Sequence, residues 1–340
     1  VALIKRKKNI YPVGDDLRGY LDRHDRLRSV PASFAALSRH IESVPVYDRH
    51  GNDTLWQTVL YAPAEREEIN DAAVRTYAAL KVHGRMSLMK HLVTDRVDLC
   101  TWGNTQPFRV RILNTLNENF DYFYVKKADA SRIYGIELEH ILSPNRIDFL
   151  CDGETVIEEH IAGIPGKDFI DNWLSDTHLD QIRLAKEFVK FNERCFVRLL
   201  GDMHSGNYVV DLTPDFDETH YRLRAIDFDQ QCYEGHHRVY RPQYYSQNNP
   251  IVFLGMQCMT PPTYEQYRQE ELVLMASRAR EEVTRLADLL HVMSGDHIAP
   301  RAHVHSLREE LAEHYACPSF LQCESMGDLV SVSLSLLPMG

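Results

Sequence analysis

Two neighbouring stretches decide the fold: Leu199-Leu-Gly-Asp-Met-His-Ser-Gly-Asn-Tyr-Val-Val210, and Ala225-Ile-Asp-Phe-Asp229 after it. Residues 207–212 and 221–228 carry apolar side chains on either side of a polar tip around Pro214, which predicts a β-hairpin. An Asp stands five residues before the Asn that opens the first strand, and a second Asp closes the partner strand. A single hairpin therefore predicts that Asp202, Asn207 and Asp227 converge at its base. Phosphoryl transfer uses such a set. One carboxylate orients an attacking hydroxyl and accepts its proton. Asn and a second carboxylate are hard oxygen ligands for Mg²⁺, which neutralises a triphosphate.

Working outward, residues 97–102, 108–113 and 121–126 read as strands of an antiparallel meander, with turns at Gly103-Asn104 and 114–119. A helix is predicted over 130–142, stopped by Pro144. Two further strands, 147–151 and 155–161, flank the turn Asp152-Gly153. After Gly163-Ile-Pro-Gly166 the pattern is helical, with a long amphipathic segment over 179–199 and a tail from Tyr264 broken by Pro300 and Pro318. Residues 1–85 read as mainly helical, over 33–41 and 69–80, with a strand at 55–60 between them. The fold class is α+β, with a sheet block over 86–162, a helical block over 163–340 and an N-terminal extension over 1–85.

On these residues the chain resembles the protein-kinase-like superfamily, in particular its aminoglycoside-phosphotransferase-like and atypical bacterial branches. Those branches carry a catalytic loop of the form HGDxHxxN and a metal motif of the form IDF or IDW. Here the loop is Leu-Gly-Asp-Met-His-Ser-Gly-Asn, 200–207, and the metal motif is Ile-Asp-Phe-Asp, 226–229. The resemblance covers about residues 90–235. It implies a bilobal fold, with a small antiparallel-sheet N-lobe and a mostly helical C-lobe. It implies ATP and Mg²⁺ as cofactors, Asp202 as the catalytic Asp, and Asn207 and Asp227 as metal ligands, with Asp229 as a further carboxylate for a second ion.

The family also places a Lys on the third strand to pair the α- and β-phosphates, held by a Glu from the next helix. Lys126 and Lys127 end the third strand, and alternation lets only one face the cleft. An apolar-x-Lys match favours Lys126. Glu137 and Glu139 are the helix candidates. They lie roughly 200° apart around a helix, so one is expected inward, with Glu137 preferred, and the other on a solvated face. The strand and hinge over 156–163 would hold the adenine edge, with Glu159, His160 and Ile161 as candidates. His204 matches a loop position, where it would hold the loop or sit near the transferred phosphate.

Three departures from the family pattern bear on function. The loop between the first two strands has Gly103 and no GxGxxG. Leu200 stands where the family often has His. Asp229 replaces the Gly that closes the metal motif of ordinary protein kinases. No Ala-Pro-Glu follows that motif. The acceptor is therefore a hydroxyl on a protein or a small molecule, with a lean to an atypical Ser/Thr protein kinase. The alternatives are a small-molecule kinase of the aminoglycoside phosphotransferase type, or a pseudokinase that binds a nucleotide or partner without turnover. Gly163-Ile-Pro-Gly-Lys167 is no P-loop, because Ile161 stands at the required first Gly and Asp168 follows the Lys.

Composition narrows the partners. The chain has 340 residues, with 38 Lys and Arg against 49 Asp and Glu, a balance of −11. A net-negative surface repels phosphates at long range, so no nucleic-acid partner is expected. Seven cysteines without a CxxC pair argue against a disulfide framework and a thiolate zinc site. They fit a reducing, cytoplasmic compartment. No apolar run approaches the roughly 18 residues that span a bilayer, so no transmembrane segment is expected. Residues 1–30 hold eight basic and four acidic groups, a locally basic arm read as a solvated terminus.

Overall fold

The computed structural model describes residues 8–48, 50–102, 105–177, 179–216 and 218–338. The Gly103-Asn104 turn and residues 1–7 of the basic arm lie outside the described residues. The chain divides into two units. One comprises residues 18–129 and 147–160, the other 1–17, 130–146 and 161–340. A short helix, α1 (Asp15–Arg23), runs across the first boundary.

The first unit is built on a seven-stranded antiparallel sheet. A single helical turn, α2 (Phe34–Leu37), precedes β1 (Glu42–Tyr47) and β2 (Asp53–Leu60). The long helix α3 (Pro63–Val82) follows. Then come β3 (Leu92–Cys100), β4 (Phe108–Asn114) and β5 (Phe120–Lys127), and later β6 (Phe149–Asp152) and β7 (Thr155–Glu159). The strand order is β1-β2-β3-β4-β5-β7-β6. Alternation sets the buried face. On β4, Phe108, Val110 and Ile112 are buried, while Arg109 and Arg111 between them are half-buried. The apolar face packs with Ile69, Ala73 and Ala78 of α3 in one core.

Strands β1 and β2 therefore belong to the sheet, not to a separate, mainly helical extension. Two strands extend the meander at its edge, and α3 lies on its core side. The sequence pattern hid β1 because an edge strand has little to bury. Only Val46 of its six residues is even half-buried, and Pro45 interrupts it, as edge strands tolerate.

The second unit carries α4 (Ala130–Leu142), a two-residue strand β8 (Ile164–Pro165), α5 (Gly166–Asn172) and α6 (Gln181–Val197). Next comes the hairpin of β9 (Tyr208–Asp215) and β10 (Glu218–Ala225). Its register runs from Tyr208↔Ala225 at the base to Asp215↔Glu218 at the tip, and β8 adds to β9. Helices α7 (Asn249–Cys258), α8 (Pro261–Glu281), α9 (Val283–Gly295), α10 (Arg301–Tyr315) and α11 (Met326–Ser335) complete it. Their starts carry helix-opening chemistry. Asp180 caps α6, Thr260 and Pro261 open α8, and Ser325 with Asp328 forms a capping box on α11. Among the described residues no helix is long and apolar enough to cross a membrane.

One buried carboxylate ties three strands of the sheet together. Asp98 on β3 is fully buried. It accepts from Thr58 Oγ1 on β2 at 2.7 Å and from Arg109 Nη2 on β4 at 2.8 Å, and Arg96 Nε lies 3.2 Å away. Asp98→Ala would leave two guanidinium groups without their common counter-charge. Because Arg96 and Arg109 are partly exposed, at 28% and 18%, the loss is about 1–3 kcal/mol, below that of a pair buried on both sides. The expected result is a loss of that size in urea unfolding. A loss below about 0.5 kcal/mol would show that the Asp98 contacts to Thr58 and Arg109 contribute nothing to holding these strands.

Candidate functional site

The loop 199–207 leaves α6 and enters β9, and its conformation is set by short backbone contacts. Leu199 O accepts from Cys232 N at 2.9 Å, and Gly201 N donates to Gln230 O at 3.1 Å. The loop thus pairs with the segment that follows the second acidic motif. At Asp202 the backbone turns left-handed, with φ +61°. A non-glycine residue seldom adopts this, and such residues cluster at functional sites. Three partners hold it there. Asp202 N donates to Tyr245 Oη at 2.9 Å, and Asp202 O accepts from His204 N and Asn207 Nδ2, both at 2.8 Å. Tyr245 Oη in turn donates to Val239 O at 2.8 Å.

Asn207 also reaches the Asp202 carboxylate, Nδ2 to Oδ2 at 3.4 Å, and its carbonyl accepts from Ile226 N at 3.0 Å. The base of the hairpin therefore brings Asp202, Asn207 and the 226–229 segment together. Burial pushes the Asp202 carboxyl up to about 7, and the charges of Asp227, Glu234 and Asp229 add to it, against the Asn207 hydrogen bond. His204 accepts from Gly206 N at its Nδ1, 3.0 Å, so its role visible here is to hold the loop. Burial lowers its pKa, which favours the neutral ring.

Asp227 and Asp229 are joined by a buried arginine from α4. Arg132 Nη2 lies 2.6 Å from Asp227 Oδ1 and 2.5 Å from Asp229 Oδ1, and its Nε donates to Asp229 Oδ1 at 2.8 Å. Asp229 N donates to Asp227 Oδ1 at 3.2 Å. The Arg132 side chain is 2% exposed, Asp229 12% and Asp227 34%. A Mg²⁺ held by these carboxylates would need oxygens at about 2.0–2.1 Å and no cation between them. With the guanidinium in place the donor set does not fit that ion. Among the described residues no group of three or more His, Cys, Asp or Glu is arranged to hold a metal.

The helix glutamates depart from expectation. Both are buried, Glu137 at 0% and Glu139 at 2%, so neither occupies a solvated face. Helix α4 is enclosed on all sides, so the angle between two positions does not make one of them exposed. Each glutamate has its own arginine in the same unit. Arg285 grips Glu137 with Nε at 3.0 Å and Nη2 at 2.8 Å, and Arg198 pairs with Glu139.

The other candidates lie in the sheet unit or at its border. Lys126 is buried and its Nζ donates to Glu158 Oε2 at 2.6 Å, so its carboxylate partner is on β7. Lys127 is exposed, with its ammonium over the Phe34 ring. Glu159 takes Lys81 Nζ at 2.6 Å and Asp148 N at 2.7 Å. Its backbone N–H is already given to Asp148 O. His160 packs against Tyr122 and Tyr124. The chain passes from one unit to the other between His160 and the buried Ile161.

Sequence reasoning missed Arg132 and the charge of Glu234, and it read Tyr245 only as part of the aromatic stretch 233–245, either meeting the acceptor or packing under the cleft, without its bond to Asp202. For Arg132 a signal existed. It is a lone guanidinium in the first turn of an otherwise apolar and small-residue run, Ala130-Ser-Arg-Ile-Tyr-Gly-Ile136, and a charge there demands a buried partner. Tyr245 acts through the backbone of Asp202 across 43 residues, and no spacing rule reports that. Neither the family models nor the curated proteins with which the chain was compared match it.

The raised Asp202 pKa has a defined sign for stability. The folded protein keeps this proton up to about pH 7, whereas an unfolded Asp releases it near 3.9. Between those values unfolding releases a proton, so the stabilisation associated with this group is present at low pH and lost as pH rises to 7. Asp202→Asn is neutral at every pH. It should raise stability relative to wild type more at pH 8 than at pH 5, by up to about 3 kcal/mol. Thermal unfolding of both proteins at the two pH values measures it. An equal difference at both would show that Asp202 titrates normally.

Proposed function

We propose that the chain binds ATP and transfers its γ-phosphoryl group to a hydroxyl, with Asp202 as the group that orients the hydroxyl and takes its proton. The observation that carries this is the Asp202 corner: a strained, left-handed residue fixed by Tyr245, His204 and Asn207, with a carboxyl whose pKa lies near neutrality. A base works best when its pKa is near the working pH. In the step proposed, the acceptor oxygen forms a bond to Pγ as the bond from Pγ to the bridging oxygen of ADP breaks. The hydroxyl proton passes to Asp202. Asn207 keeps the carboxylate in place. Lys126 enters as a phosphate-binding group through the family resemblance alone. So does Mg²⁺ as a cofactor.

For the acceptor, a Ser or Thr hydroxyl of a protein is preferred. The long helical region after Asp229, α7 to α11, gives surface for a macromolecule. A small-molecule hydroxyl is the alternative. A second reading has its own observation. Arg132 neutralises the carboxylates that the resemblance assigns to the metal, which favours a module that binds nucleotide without turnover.

The test is ATP consumption and autophosphorylation, run beside an ATP thermal-shift titration, on wild type and Asp202→Ala. The expected outcome is a loss of turnover of about 10²–10⁴-fold in Asp202→Ala, with ATP still raising its Tm. Wild type that is stabilised by ATP but consumes none would favour the binding module. Wild type that ATP does not stabilise at all would overturn both.

A further inference from the structure

We infer that Arg132 is a built-in counter-ion that fills the cation position between Asp227 and Asp229, so that its removal, and not its presence, creates a divalent-cation site. The inference rests on the proposed function only in the metal role given to Asp227. One nitrogen, Nη2, lies within 2.6 Å of an oxygen from each carboxylate. Two oxygens from different side chains converging on one positive atom is the arrangement a bridging ion would otherwise adopt. The guanidinium and such an ion exclude each other by volume and by charge. The arginine is almost fully out of water, and a buried guanidinium is tolerated only while its counter-charges stay in place.

Nor can the side chain easily swing away, because the first turns of α4 are clamped to the segment that carries the carboxylates. Ser131 Oγ donates to Gln231 O. Gly135 faces Phe228 and Gln231 so closely that a Cβ there would lie 3.1 Å from the Cβ of each. Ser131, Arg132 and Gly135 thus all meet residues 227–231 within one turn and a half of helix. A longer side chain at 135 would lift the helix off, and with it the arginine.

The experiment is a Mn²⁺ titration of nucleotide-free protein, following free Mn²⁺ by its electron paramagnetic resonance. Wild type, Arg132→Lys, Arg132→Gln and the double variant Arg132→Gln/Asp227→Asn are compared. The expected result is at least tenfold tighter binding of one Mn²⁺ by Arg132→Gln than by wild type. Arg132→Lys should stay near wild type, and the double variant should lose the gain. Wild type that binds Mn²⁺ as tightly as Arg132→Gln would overturn the inference. If Arg132→Gln does not fold, wild type alone decides through Asp227→Asn. An affinity at these carboxylates that falls tenfold in that variant overturns the inference, and one that does not change supports it. No nucleotide is present, so a protein that fails to bind ATP would sink the proposed function and leave this result standing.

Discussion

A guanidinium on α4 and two carboxylates two residues apart after β10 form the contact on which the candidate site depends. Arg132 is nearly dry, and Asp229 is mostly so. Removing either side alone would strand a charge in a poorly solvated place, so the three groups are obliged to stay together. That obligation fixes the 227–231 segment, and the segment fixes the loop beside it. Leu199 and Gly201 take their backbone partners from Cys232 and Gln230. The left-handed turn at Asp202 follows from that pairing at one end and Asn207 at the other. The strained residue is thus supported by an ion pair it never touches.

The same helix explains where the chain divides. Position in sequence suggested that 130–142 belongs with the sheet. Its polar side chains say otherwise. Arg132, Glu137 and Glu139 are all buried, and each finds its opposite charge in the helical unit: Asp227 and Asp229, Arg285, and Arg198. A helix with three enclosed charges must go where their partners are. In the sheet unit, Lys126 has Glu158 and Asp98 has Arg109. These named pairs close within their own units, so the charges of α4 place residues 130–146 with the helical unit although they lie between two strands of the sheet in sequence.

What was legible in the sequence follows the range of the interaction. The hairpin of β9 and β10 is local, and its alternation and polar tip placed it within a few residues. The β3–β4–β5 meander was equally clear, because Phe108, Val110 and Ile112 alternate with arginines. Asp202 and Asn207 are five residues apart on one loop, so their meeting could be argued from spacing. By contrast β1 was lost, since an edge strand whose side chains face solvent leaves no apolar signature. The partners of Glu137 and Glu139 were lost because Arg285 and Arg198 are 148 and 59 residues away. Arg132 was passed over although its chemistry was anomalous on its own helix. A charged residue in an apolar run is a statement that a partner exists, even when its position cannot be read.

The two accounts of the site differ in what balances its negative charge. Asp202, Asp227, Asp229 and Glu234 converge, and one permanent cation, Arg132, sits on two of them. The field that remains is still negative enough to add to the rise of the Asp202 pKa to about 7. A protonated Asp202 relieves it at low pH, and a bound cation would relieve it at high pH. Phosphate oxygens bring more negative charge to the same place, so a nucleotide cannot sit near Asp227 unless a cation comes with it or Arg132 turns toward it. The second course uses no metal at these carboxylates, but it would cost Asp227 and Asp229 their buried partner. On the proposed function, turnover and nucleotide binding without turnover would separate at one atom, Nη2 of Arg132, and at whether it stayed on the carboxylates when phosphate arrived.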